Sequence, residues 1–98
     1  MPNKNYLVGY RAELRAKHVL ESDGYIVVRA SGSKGVFDLI AISSKKIRLI
    51  QVKSKPKKKE GSRDPVEKGL RDLKVPESVS REVWYWIIGY GFKKVIFE

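Results

Sequence analysis

Two largely apolar runs, residues 36–42 and 47–53, flank the polar stretch Ser43-Ser44-Lys45-Lys46, and this arrangement reads as an antiparallel hairpin. Four polar residues are a common hairpin connection. Pairing Ile42 with Ile47 sets Ile40 opposite Leu49 and Asp38 opposite Gln51. Side chains alternate along a strand, so Lys53 shares the face of Gln51. That face is apolar beside the turn (Ile40, Ile42, Ile47, Leu49) and polar at its far end, where Asp38, Gln51 and Lys53 gather. A carboxylate, an amide and an ammonium at the end of an apolar stripe are costly unless they pair or bind something.

The remaining elements follow from periodicity and breakers. Residues 6–23 read as a helix stopped by Asp23-Gly24, with Gly24 as its C-terminal cap. At about 100° per residue, Val8, Ala12, Ala16, Val19 and Leu20 form one stripe suited to packing on a sheet. Glu13 lies at its edge, and Leu7, Tyr10 and Leu14 form a second apolar patch that is a candidate for self-association. Residues 25–30 are a β-rich run, and Ser31-Gly32-Ser33-Lys34-Gly35 is a loop. A short helix is expected over 64–74, and strands over 83–88 and 94–97 joined by Gly89-Tyr90-Gly91. The expected architecture is a single α/β domain over residues 1–98, a mixed sheet of about five strands with an N-terminal helix and a short second helix.

Charge narrows the partners. Lys and Arg number 21 against 11 acids, a formal net charge of +10 on 98 residues, which points to a polyanion, nucleic acid first. Lys53, Lys55, Lys57, Lys58 and Lys59 crowd one segment suited to a DNA backbone, and Arg11, Arg29 and Lys34 add to the basic set. There is no cysteine and one histidine, His18, so thiolate and zinc chemistry are disfavoured. A metal here is a hard, oxygen-liganded ion such as magnesium or manganese. No apolar run approaches a membrane span, and Met1-Pro2-Asn3-Lys4-Asn5 lacks the apolar core of a signal peptide. A cytoplasmic, nucleoid-associated protein is expected, or one of the host cytoplasm if viral, with no membrane partner and no small-molecule cofactor. An acid, a carbonyl oxygen and a lysine are the parts of a metal-dependent phosphodiesterase site.

Glu13, the stretch Tyr25-Ile26-Val27-Val28-Arg29-Ala30-Ser31-Gly32-Ser33, then Phe37-Asp38-Leu39-Ile40-Ala41 and Ile50-Gln51-Val52-Lys53, together resemble the PD-(D/E)XK nuclease superfamily. Within it the chain resembles archaeal-type Holliday junction resolvases and their viral relatives. The resemblance covers residues 6–53 and, loosely, the C-terminal strands. It implies a restriction-endonuclease-like core and a homodimer that cuts four-way DNA junctions. It also implies that Asp38 and the Val52 carbonyl bind the divalent ion, with Gln51 beside them and Glu13 holding a metal-bound water or second ion. Lys53 would orient or deprotonate the attacking water, Ser33 would contact the scissile phosphate, and Arg29 the DNA backbone. Gln51 stands where the resolvases usually carry Glu, removing one negative charge. Mrr-like restriction nucleases and transposon-end nucleases use Gln there. The segment after Lys53 is also shorter than the resolvases' helical segment.

Each feature has a plainer structural reading. Glu13 can be a solvated residue paired with Lys17, Asp38 can pair with Lys53, and the lysine run can serve solubility. Trp84 and Trp86, on the strand face opposite Tyr85, suit core or dimer packing more than base stacking. His18 reads as a surface residue. The functional alternatives are a restriction-like or nicking nuclease of the same superfamily, or a catalytically silent basic DNA-binding protein.

Overall fold

The computed structural model describes residues 4–30, 37–55 and 65–97. In chain order the elements are α1 (Lys4–Ser22), β1 (Ile26–Arg29), β2 (Leu39–Ile42), β3 (Ile47–Lys55), α2 (Pro65–Asp72), β4 (Val79–Ile87) and β5 (Gly91–Phe97). The strands form one sheet in the order β1-β2-β3-β4-β5. All neighbours are antiparallel except β3 and β4. A parallel pair needs a crossover, and the connection carrying α2 supplies it. The expected mixed sheet and two helices are thus present. The largest boundary difference is β4, which starts at Val79 rather than at residue 83.

Helix α1 ends as its sequence dictates. Tyr25 N–H donates to the Leu20 carbonyl at 3.1 Å and Gly24 N–H to that of Glu21 at 3.0 Å, with Gly24 at φ +92°. This pair of bonds closes the last turn around a left-handed residue that glycine adopts without steric cost. Ala12, Ala16 and Leu20, one helical turn apart, are buried against Leu39 and Ala41 of β2, Ile50 and Val52 of β3, and Trp84 of β4. The two alanines let the helix axis approach the sheet closely. Val19, assigned to this stripe from its spacing, is instead 37% exposed at its edge.

On the opposite face, Leu70 of α2 packs on Val83, Tyr85 and Ile87, with Phe37, Val95 and Phe97 around them. The hairpin pairs Ile42 with Ile47 and Ile40 with Leu49, the register read from the sequence. The turn is held by Ser43, whose hydroxyl oxygen accepts the Lys46 N–H at 3.1 Å.

The parallel seam contains a buried carboxylate. Glu82, 1% exposed, accepts two hydrogen bonds from Arg48, Nε at 2.6 Å and Nη2 at 2.7 Å. Ser80 Oγ donates at 2.9 Å and Trp84 Nε1 at 2.8 Å. The guanidinium also lies 5.1 Å from the Tyr25 ring centroid and 5.6 Å from that of Trp84. Burial pushes the Glu82 carboxyl up, but hydrogen bonds from Arg48, Trp84 and Ser80 and the guanidinium charge outweigh it, leaving its pKa below the ordinary carboxylate value. The bond to Glu82 outweighs burial at Arg48 and raises its affinity for its proton.

Arg48→Met leaves this buried charge unpaired and is expected to destabilise the protein by about 3–5 kcal/mol at neutral pH. A group with a lowered folded pKa contributes stability above its unfolded pKa, about 4, and loses it as pH falls through the folded value. The stability gap between wild type and Arg48→Met, measured by urea denaturation, should therefore narrow on acidification.

Candidate active site

Asp38 is held by the main chain of its neighbours. Its carbonyl accepts the Ala30 N–H at 2.8 Å, continuing the β1–β2 register. Its own N–H donates to the Ile50 carbonyl at 2.8 Å, one residue short of the Gln51 that a regular ladder would put opposite it. The β2–β3 ladder accordingly ends at Leu39 and Ile50. The carboxylate fills the space this offset opens, with Oδ2 accepting the Val52 N–H at 3.1 Å. N–H and C=O of one strand residue point to the same side, so the Val52 carbonyl also points toward the Asp38 edge.

Two faces of the sheet contribute to the region around Asp38. Glu13 comes from α1 and meets Arg29 of β1, with Oε1 3.7 Å from Nη2. Lys17, the alternative partner of Glu13, pairs instead with Glu21 at 3.1 Å. The Arg29 guanidinium also lies 4.8 Å from the centroid of the Tyr10 ring, so part of the apolar patch expected to self-associate is covered. Arg29 Nε is buried without a hydrogen-bond partner among the described residues. From the other face come Gln51 and Lys53, level with Val83 and Tyr85 of β4.

Electrostatics link the groups. Burial raises the pKa of Glu13, the Asp38 charge raises it further, and Arg29 opposes both. Burial likewise raises that of Asp38, against the Val52 N–H and the charges of Lys53 and Arg29. Two half-buried acids, beside a main-chain carbonyl on the Asp38 edge, form an oxygen-rich set suited to a hard divalent ion. Among the described residues no three His, Cys, Asp or Glu side chains come together as a metal cluster, and Gln51 brings an amide where a third acid would stand.

Ser33, Lys34, Lys57, Lys58 and Lys59 lie outside the described residues. Lys55 closes β3 opposite Ile87, and Arg11 is exposed on α1. His18 is a surface residue 4.0 Å from Glu21. Trp84 is buried in the core and Trp86 half-buried, with Phe92 between them at 5.3 and 5.0 Å.

The sequence reading missed one neighbour of Lys53. Tyr85, across the parallel seam from Lys53, donates its hydroxyl to the Glu67 carboxylate of α2. The alternation of Trp84, Tyr85 and Trp86 pointed to the right face, but the register with β3 was not readable.

The family model for the archaeal Holliday junction resolvase (hjc) matches residues 4–68, a span that contains Glu13, Arg29, Asp38, Gln51 and Lys53. No curated protein matches the chain.

A raised folded pKa on a carboxylate means stability present in acid and lost as pH rises through the folded value. Asp38→Asn keeps an oxygen for the Val52 N–H and removes the charge. In EDTA it is expected to raise Tm at pH 7, and the difference should shrink toward zero at about pH 3, below the ordinary aspartate value of about 3.9 that the folded-state pKa exceeds. Thermal melts followed by circular dichroism at the two pH values check this.

Proposed function

Because the chain belongs to the archaeal Holliday junction resolvase family, we propose that it is a magnesium- or manganese-dependent endonuclease that hydrolyses phosphodiesters in four-way DNA junctions. The observation that carries the reading is the gathering of half-buried Glu13 and Asp38, with Arg29 paired to Glu13 and Asp38 bonded to the Val52 N–H beside Lys53. Asp38, the Val52 carbonyl and Glu13 are the residues that would hold the ion, and Gln51 adds a neutral amide oxygen. When bound, the ion supplies Lewis-acid stabilisation of the phosphoryl oxygens and lowers the pKa of its water.

The protein's own groups do the rest. Asp38, held by its three main-chain bonds, keeps its carboxylate in one place whether or not DNA is present. Lys53 extends from β3 toward the same region and orients the attacking water or offsets charge on the phosphate. The buried Arg29 Nε, without an acceptor among the described residues, is a donor that a phosphate oxygen satisfies. Ser33 contacts the scissile phosphate in the same reading. Arg11 and the basic residues Lys34, Lys55, Lys57, Lys58 and Lys59 hold the flanking backbone.

Symmetric nicking of a junction needs two such sites, hence a homodimer. In the described residues Ile26, Val28, Ile42 and Ile47 remain 70, 48, 37 and 37% exposed on neighbouring strands. A charge-free aliphatic face has little to offer a polyanion and suits a second copy. The neutral Gln51 favours a second reading, a junction-binding protein with a weak metal site.

The deciding experiment is cleavage of a labelled four-way junction, with duplex and single-stranded controls, in magnesium, manganese or EDTA. Paired metal-dependent nicks in the junction are expected. Cleavage of duplex as well would make it a general nuclease, and binding without cleavage would favour the second reading. Asp38→Asn should lower the rate about a hundredfold or more, since the metal's contribution is several kcal/mol, and leave binding nearly intact. Gln51→Glu should lower the metal concentration needed for half-maximal rate; an unchanged metal requirement would remove Gln51 from the site.

A further inference from the structure

The turn between β4 and β5 exposes large apolar side chains at the end of the sheet where Lys53 lies. Tyr90 is 86% exposed and Ile88 57%. Tyr90 N–H donates to the Ile87 carbonyl at 2.9 Å, with Gly89 at φ +89° and Gly91 at φ +102°. Positive φ at the third turn position is what a tight type II turn demands. The glycines therefore fix a narrow tip that holds Ile88 and Tyr90 away from either core. The turn lies beyond residues 4–68, outside the span matched by the family.

Register places this tip relative to the candidate site. Lys53, Tyr85 and Lys93 are level across β3, β4 and β5, and so are Lys55, Ile87 and Gly91. With strands about 4.8 Å apart, the Lys93 backbone is about 10 Å from that of Lys53, on the same face. Two residues of strand, about 7 Å, separate the Lys53 level from the start of the turn. Lys93 is exposed. Lys53 and Lys93 lie on either side of Tyr85, whose hydroxyl is held by Glu67 of α2, and the exposed Tyr90 ring lies past them at the end of the sheet.

We infer that the β4–β5 tip is a DNA contact, in which the Tyr90 ring stacks on a nucleobase unstacked at a branch, Ile88 fills the step beside it, and Lys93 contacts the intervening backbone. This rests on the reading of branched DNA as substrate and assigns the element that senses the branch. Aromatic rings accept any base through its π face, and apolar residues such as Ile wedge between base steps. An intact duplex offers neither. A buried protein partner suits the site less, because the tip is narrow and flanked by Lys93 and Lys94 in a chain of net charge +10.

The test uses the full chain carrying Asp38→Asn, so that binding is read without cleavage. A four-way junction with 2-aminopurine beside the branch, and a duplex of the same sequence, are titrated by anisotropy and fluorescence. Adding Tyr90→Ala is expected to weaken junction binding about tenfold or more, leave duplex binding within about twofold, and abolish the 2-aminopurine quench. Tyr90→Trp should preserve both affinity and quench. Lys93→Gln should weaken both DNAs alike and reduce the salt slope by about one. Equal effects of Tyr90→Ala on junction and duplex, or none on either, would overturn the assignment. Cleavage by the wild-type chain is scored separately. Cleavage with a silent Tyr90 leaves the nuclease reading standing alone, and Tyr90-dependent junction binding without cleavage leaves the tip standing alone.

Discussion

The buried pair of Glu82 and Arg48 fixes the position on which the rest of the sheet depends. A carboxylate that is 1% exposed is tolerable only while Arg48, Ser80 and Trp84 all reach it. Arg48 belongs to β3 and the other three to β4, so the set locks the single parallel pairing in one register. A slip of one residue would turn the guanidinium to the far face and strand the carboxylate in an apolar layer. The net contribution of such a pair to stability is small compared with its parts. Its consequence is register, and register decides that Lys53 stands beside Tyr85.

At Asp38 the structure gives up regularity for placement. A continued ladder would pair Asp38 with Gln51; instead its N–H goes to the Ile50 carbonyl and the freed Val52 N–H is taken by the carboxylate. The acid is thereby set in the plane of the sheet, between the face that carries α1 and the face that carries Gln51 and Lys53. There its charge reaches Glu13 on one side, and the Lys53 charge reaches it from the other. Burial keeps both carboxylates less acidic than usual, and the Asp38 charge adds to this at Glu13. Arg29 offsets part of this at Glu13, at 3.7 Å rather than in a close bidentate contact.

Much of this was legible in the chain itself. The four polar residues between Ile42 and Ile47 were enough to give the hairpin register, the pattern of α1 identified Ala12, Ala16 and Leu20, and Gly24 marked the helix end. Trp84 and Trp86 separated from Tyr85 by simple alternation. What stayed hidden depended on contacts far apart in sequence. Glu82 looked like an ordinary polar residue in a strand because its partner lies 34 positions earlier, across a parallel seam that no local pattern registers. Glu13 found Arg29 rather than Lys17 because tertiary approach outweighed the i+4 spacing. The offset at Asp38 was invisible because alternation assumes an unbroken ladder.

The span shared with the resolvase family ends at residue 68, yet the site it contains is not self-supporting. Val52 and Ile50 are covered by Trp84, Lys53 is flanked by Tyr85, and Arg48 would be a buried cation without Glu82. All three partners lie on β4, beyond the matched residues. The sheet therefore has two regimes. β4 is bound by packing and charge to serve the site, and its identity is dictated by Arg48 and the core. β5 touches the site only through register, and its turn is constrained by two glycines rather than by the core. Such a turn can change its side chains without disturbing Asp38 or Lys53.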